Sequence, residues 1–151
     1  MKLRTASPDD HDTVVDVFSA AFRDYANAAG REPGPYPWLP DALRAGNIHW
    51  LETEGHAVGA CWLVFKDGGL GLEMLAIHPD HQRAGHGTAA LKVIEAYASA
   101  GAARFITLYT MTRRTHLVVF YSRQNFRVWK VAPPPHGRDD LLRVHMTKTL
   151  I

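Results

Sequence analysis

Three strand-like runs follow one another with almost nothing between them: Ile48 to Thr53, His56 to Phe65 and Leu70 to Ile77. Glu54-Gly55 joins the first two, and Asp67-Gly68-Gly69 joins the second and third. Joints this short and Gly-containing make antiparallel hairpins; a parallel crossover needs a dozen or more residues. The block therefore excludes a doubly wound parallel sheet.

Helical patterns flank the block. Lys2 to Thr5 reads as a first strand, and Ser7-Pro8-Asp9-Asp10 as a helix start with a capping serine, a proline at the first position and two acids at the positive end of the dipole. Val14, Val15, Phe18, Ala21 and Phe22 then recur at helical spacing. Residues 29–40 are rich in Gly and Pro and read as loop, Asp41 to Ala45 as a short helix closed by Gly46. After the hairpins come a helix from about Thr88 to Ala100, a strand from Arg104 to Tyr109, a helix from Thr115 to Arg123, and strands from Phe126 to Val131 and Leu142 to Lys148. The expected fold is a mixed α/β domain of about seven mostly antiparallel strands with about four helices.

The length of 151 residues suits one domain, residues 1–151. A chain of this size buries roughly 68–70% of its unfolded surface, so it needs no disulfide or structural metal. No run of about 18 apolar residues is present, which argues against a membrane span. No signal peptide is visible, and the single Cys61 fits a reducing cytoplasm. A net charge of +2 is too small to argue for nucleic acid or membrane binding. Nine histidines are unusual for this length.

The chemistry concentrates where the third run ends. Ile77-His78-Pro79 leads into Gln82-Arg83-Ala84-Gly85-His86-Gly87-Thr88 and then a helix. The free amides of a helix start, with its dipole, form an anion site. Gly85 and Gly87 let the backbone approach a phosphate, and Arg83 adds a charged fork. A Walker loop would need Gly-Lys-Ser/Thr, which is absent; a dinucleotide fingerprint would need a βαβ unit, whereas these strands are hairpins.

Gln82-Arg83-Ala84-Gly85-His86-Gly87 resembles the Q/R-x-x-G-x-G/A pyrophosphate loop of the GNAT acetyltransferase superfamily. Glu73 to Pro79 looks like that family's fourth strand, Phe120-Tyr121-Ser122-Arg123-Gln124-Asn125-Phe126 is similar to its F-Y-x-x-x-G-F segment, and Val144 to Leu150 is similar to its last strand. The resemblance implies transfer of the acetyl group of acetyl-CoA to an amine, on a small molecule or a protein, by direct attack in a ternary complex. It implies that the stretch Leu75, Ala76 and Ile77 borders the pantetheine arm, with the backbone of Leu75 and Ile77 pairing with it. Gln82, Arg83, Ala84, Gly85, His86, Gly87 and Thr88 would hold the pyrophosphate, and Tyr121 would sit beside the thioester sulfur. Where the family has glycine this chain has Asn125, which tolerates the left-handed conformation. A homodimer is implied by resemblance only.

Thioester aminolysis needs a neutral amine and a proton for the departing thiolate. An unperturbed tyrosine, with a pKa of about 10, stays protonated at neutral pH and can serve as acid. Glu73, on the bordering strand, is the candidate base, directly or through water. Tyr25, Tyr36 and Trp38 are candidates for the acceptor pocket, with ordinary packing as the equal alternative. Arg113 and Arg114 either meet the 3′-phosphate or are simply solvated. Cys61 on a central strand reads as core. No metal is expected: His78-Pro79-Asp80-His81 with His86 crosses a proline-containing loop and lacks a second paired cluster. The alternatives are a non-catalytic CoA-binding regulatory domain and an enzyme acting on aminoacyl-tRNA; the latter would need a basic stripe, and the arginines are scattered.

Overall fold

The computed structural model describes residues 1–150. The strands are β1 (Lys2–Thr5), β2 (Ile48–Thr53), β3 (His56–Lys66), β4 (Gly69–Ile77), β5 (Phe105–Met111), β6 (Arg127–Ala132) and β7 (Arg143–Thr149). The helices are α1 (His11–Ala21), α2 (Arg23–Ala28), α3 (Leu39–Arg44), α4 (His86–Ala100) and α5 (Thr115–Arg123), with 3-10 turns at Pro8–Asp10 and Pro79–His81. The strand order is β1-β2-β3-β4-β5-β7-β6. β4 runs parallel to β5, and β1–β2, β2–β3, β5–β7 and β6–β7 pair antiparallel. The mixed, mostly antiparallel architecture matches the reading of the sequence. Five helices stand where about four were expected, because the first helical pattern is broken at Phe22 (φ −100°, ψ 10°) and resumes as α2.

The chain forms two compact units. The first comprises Met1–Val64 and Glu73–Ala96. Its β2–β3 hairpin turns on Glu54 and Gly55, both left-handed (φ 52° and 80°), the type I′ geometry that suits twisted strands. Pro40 falls in the first turn of α3, where its missing N–H costs nothing, so that helix starts earlier than the Asp41 expected from sequence. Val14 and Phe18 of α1, Leu39 and Leu43 of α3, and Ile48, Trp50, Ala60 and Ala76 from three strands close one buried cluster. Each large apolar side chain taken from water in this way contributes about 1.5–3 kcal/mol. Gly59 on β3 is required by space: a Cβ there would run into the Ala76 carbonyl of β4.

The second unit comprises Phe65–Leu72 and the chain from Tyr97 onward. β4 enters it with Leu70 opposite Ile106 and Gly71 opposite Thr107. β5 is longer than its sequence pattern because β7 pairs with it from Phe105 (opposite Thr149) to Met111 (opposite Arg143). Ile106, Met111 and Met146 are fully buried here.

Candidate functional site

In the first unit, β4 delivers Glu73, Met74, Leu75 and Ile77 half-buried, while Ala76 is fully buried. Ala76 therefore faces the core, and its neighbours Leu75 and Ile77 take the other side of the strand, as period-two alternation requires. His78 ends β4 by donating its N–H to the Val58 carbonyl at 2.9 Å. Its Nδ1 then accepts the Asp80 N–H at 3.2 Å, which starts the 3-10 turn.

The turn that follows is exposed at every residue from Gln82 to Gly85. Arg83 is left-handed at φ 64° and Gly85 at φ 77°. A Cβ at Gly85 would meet nothing within 4 Å, so glycine is required there by backbone conformation and not by crowding. The Gly85 carbonyl accepts the Ala89 N–H at 3.1 Å, and α4 begins at His86, two residues earlier than the sequence pattern suggested. The amides of His86, Gly87 and Thr88 thus lie in the first turn, where the helix ladder offers no acceptors. No acidic side chain sits in that turn, so the positive end of the 15-residue helix dipole is left uncompensated. Gln82, expected on the pyrophosphate, donates its Nε2 to the Ile77 carbonyl at 2.9 Å and ties the turn back to β4.

The rings of His78, His81 and His86 follow one another at 6.2 and 6.4 Å. No group of three His, Cys, Asp or Glu able to hold a metal occurs among the described residues. Cys61 is fully buried on β3, and burial pushes its thiol pKa up, away from nucleophilic chemistry.

Of the three aromatics proposed for the acceptor, the structure brings Tyr36 and Trp38 together, edge-on with ring centres 5.9 Å apart. Trp38 stacks on Trp62 with ring centres 3.7 Å apart and planes at 7°. Tyr25 packs edge-on to Phe22 at 6.1 Å. Tyr36 packs edge-on to Phe18 at 5.8 Å, and its hydroxyl lies 3.4 Å from Ser19 Oγ. Only Tyr36 of the three lines the cleft of about 440 Å³ that also involves His11, Val15, Ser19 and the prolines of residues 33–40.

In the second unit, Tyr121 lies half-buried on α5. The helix ends in a Schellman motif. The Phe126 N–H donates to the Tyr121 carbonyl at 3.0 Å and the Asn125 N–H to the Ser122 carbonyl at 3.1 Å. Asn125 is left-handed at φ 69°, as the expectation for this glycine-like position required. The Tyr121 and Phe126 rings meet edge-on at 5.7 Å, which is the hydrophobic contact that accompanies such a cap. Phe126 is therefore spent on the cap, and β6 starts one residue later than its pattern implied. Arg113 is exposed and Arg114 half-buried at the start of α5.

A buried ion pair went unread in the sequence. Arg143, fully buried at the start of β7, donates Nη1 to Asp139 Oδ1 at 3.0 Å and Nη2 to Asp139 Oδ2 at 2.9 Å, and also binds the Leu141 carbonyl. Hydrogen bonding from Arg143 holds the Asp139 carboxyl below the usual carboxylate range. The only signal was the Asp139–Arg143 spacing of four, which without a helix carries no information.

Residues 13–126 match the model of the acetyltransferase (GNAT) family. Comparison with curated proteins gives no match. Among solved structures, the chain is similar to the PaiA N-acetyltransferase of Thermoplasma acidophilum in complex with coenzyme A (17% identity, 98% of each chain, TM-score 0.76). It is similar to a ribosomal-protein-alanine N-acetyltransferase from Brucella melitensis (16% identity, 99% of this chain and 100% of that one, TM-score 0.71). It is also similar to a GNAT family acetyltransferase from Elizabethkingia anophelis with acetyl-CoA bound (16% identity, 78% of this chain and 92% of that one, TM-score 0.64). At these identities the likeness is one of fold. No helix among the described residues is long and apolar enough to cross a membrane.

Proposed function

The chain belongs to the acetyltransferase (GNAT) family, and from that membership we propose that it transfers the acetyl group of acetyl-CoA to an amine by direct attack in a ternary complex. The observation that carries the cofactor assignment is the 82–88 segment. Left-handed Arg83 and Gly85 turn the chain so that three unpaired amides and an uncompensated dipole open α4. A pyrophosphate is the acetyl-CoA group that such a turn recognises. The Arg83 guanidinium supplies the charge, and the backbone of Leu75 and Ile77 would meet the pantetheine arm. Two of the structural relatives are described with CoA or acetyl-CoA bound, which supports this reading.

In the reaction, the amine nitrogen attacks the thioester carbonyl carbon. The tetrahedral intermediate collapses with cleavage of the C–S bond. Tyr121 gives its hydroxyl proton to the departing thiolate. Glu73 takes the amine's proton, directly or through a water. The acceptor is a small-molecule or protein amine; the ribosomal-protein acetyltransferase among the relatives favours testing a peptide α-amine first. The family match runs across both compact units, which supports reading residues 1–151 as one domain. A single buried cysteine agrees with a cytoplasmic setting.

The test is turnover of acetyl-CoA with a panel of small amines and peptides, comparing wild type with Tyr121→Phe. The Phe ring keeps the contact to Phe126, so the fold is retained. Loss of the acid lowers kcat by about 10²-fold or more with KM little changed. Turnover that is untouched by the substitution removes Tyr121 from the mechanism. Binding of acetyl-CoA without turnover of any amine favours the regulatory alternative.

A further inference from the structure

Three of the nine histidines crowd the end of β4 and the turn that follows it. They are not equivalent. His78 is committed to the fold: its backbone N–H donates to the Val58 carbonyl at 2.9 Å, and its Nδ1 accepts the Asp80 N–H at 3.2 Å. The Asp80 carboxylate also lies 3.6 Å from that nitrogen. Among the described residues, no side-chain hydrogen bond or ion pair engages His81 or His86. These two stand at the feet of the exposed 82–85 turn, and the turn brings their rings to 6.4 Å, edge-on at 71°.

This placement runs against the ordinary chemistry of a helix start. The first turn is the positive end of the dipole and favours acids, while cations belong at the far end. α4 has no acid in its first turn and opens on His86 itself. The charged neighbours of the two rings are Asp80, engaged with His78, and Arg83, whose guanidinium does not titrate in proteins. With both imidazoles protonated, three cations and the dipole's positive end surround one short turn. Without an anion there, the second proton is resisted. An anion seated in the turn removes that resistance. Charge on the rings and occupancy of the turn therefore favour each other.

We infer that His81 and His86 are a titratable pair that holds the cofactor's pyrophosphate from both feet of the turn, so that acetyl-CoA binding draws protons onto the protein and its affinity rises as pH falls. This rests on the reading of 82–88 as the pyrophosphate turn and names the side chains that govern its strength. Histidine is the side chain whose charge changes between about pH 5 and 8. Binding strengthens on descent through that range and levels off once both rings are charged in the free protein as well. His78 stays outside the pair, because its Nδ1 is held by the Asp80 N–H. The acceptor amine must be neutral to attack, so the same fall in pH that tightens the cofactor slows transfer.

Isothermal titration with dephospho-coenzyme A tests it. The pyrophosphate diester of that ligand keeps its charge between about pH 6 and 8, whereas the 3′-phosphate of the intact cofactor, as a phosphomonoester, titrates near pH 6. The expected result is wild-type affinity at least ~10-fold higher at about pH 6 than at about pH 8, and a change of less than ~2-fold in the folded double variant His81→Asn/His86→Asn. Asparagine keeps the backbone amides of the turn and carries no charge. A second measurement on the wild type covers the case in which that variant does not fold: the binding enthalpy near neutral pH in two buffers of different ionisation enthalpy, between which proton uptake appears as a difference. Binding that is independent of pH, a pH dependence retained by the folded double variant, or one enthalpy in both buffers overturns the pairing of His81 and His86 with the ligand and leaves the pyrophosphate turn standing. Failure of dephospho-coenzyme A and acetyl-CoA alike to bind at any pH overturns the turn itself, and the pairing with it.

Discussion

Two loops of this protein are held by opposite means. The loop before β7 is fastened by side chains: Asp139 grips the fully buried Arg143 through both carboxylate oxygens, and Arg143 in turn binds the Leu141 carbonyl. The 82–85 turn is exposed throughout and is shaped by left-handed Arg83 and Gly85, with the Gln82 amide as its tie to β4. In the first loop the charge is consumed by the fold. In the second, the guanidinium of Arg83 and the first-turn amides of α4 face outward. The difference separates where stability resides from where a polyanionic ligand can be met.

The largest effect should come from the side-chain-fastened loop. Asp139→Ala leaves a buried guanidinium without its carboxylate and should cost roughly 3–5 kcal/mol in urea denaturation. A loss within experimental error of zero would show that Arg143 is held by other means. The pair also carries a pH signature. The folded carboxyl is depressed, so its contribution is complete above the ordinary Asp range near pH 3.9 and is lost as pH falls through the lower folded value. His49, whose pKa burial lowers, adds an earlier loss: the unfolded imidazole takes up a proton as pH falls below about 6.5 while the folded one resists. Stability measured against pH should fall in these two stages; His145, lowered by burial, shares the upper one and Asp10, lowered by the Ser7 N–H, shares the lower one, so Asp139→Ala should shrink the lower stage and leave the upper one unchanged.

The backbone-shaped turn should respond more weakly in stability and more strongly in binding. Gly85→Ala places a Cβ at φ 77° and should cost about 1–2 kcal/mol locally while weakening acetyl-CoA. A folded Gly85→Ala protein with unchanged acetyl-CoA affinity would break the comparison. The smallest effect is that of Asn125→Gly, at another left-handed position. Asn125→Gly should change stability by less than about 0.5 kcal/mol, whereas Asn125→Val should cost about 1–2 kcal/mol. Equal stability of both variants would mean that the cap on α5 does not depend on that conformation.

The sequence made plain whatever is decided by neighbours in the chain. The two-residue hairpin at Glu54-Gly55, the limits of α5 and the left-handed Asn125 all follow from local turn chemistry, and all are observed. The start of α4 was misplaced by two residues because Gly87 looks like loop yet is tolerated in a first turn. Features set by distant partners were not legible. Arg143 reads as an ordinary strand residue until the loop folds over it. Tyr36, Trp38 and Tyr25 read alike, but of the three only Tyr36 lines the cleft; Trp38 packs against Tyr36 and stacks on Trp62 from β3, and Tyr25 packs edge-on to Phe22. Gln82 fits the loop pattern read from sequence, but that its side-chain amide also reaches back to the Ile77 carbonyl of β4 is not legible there.

The central claim is that the 82–88 turn and the start of α4 bind acetyl-CoA through its pyrophosphate. Isothermal titration of acetyl-CoA into the wild-type chain and into Gly85→Ala, both confirmed folded, measures this directly. The account predicts saturable one-site binding to the wild type that is at least ~10-fold weaker in the variant, a difference of about 1.4 kcal/mol. Absence of binding to the wild type, or equal affinity in the two proteins, would contradict it.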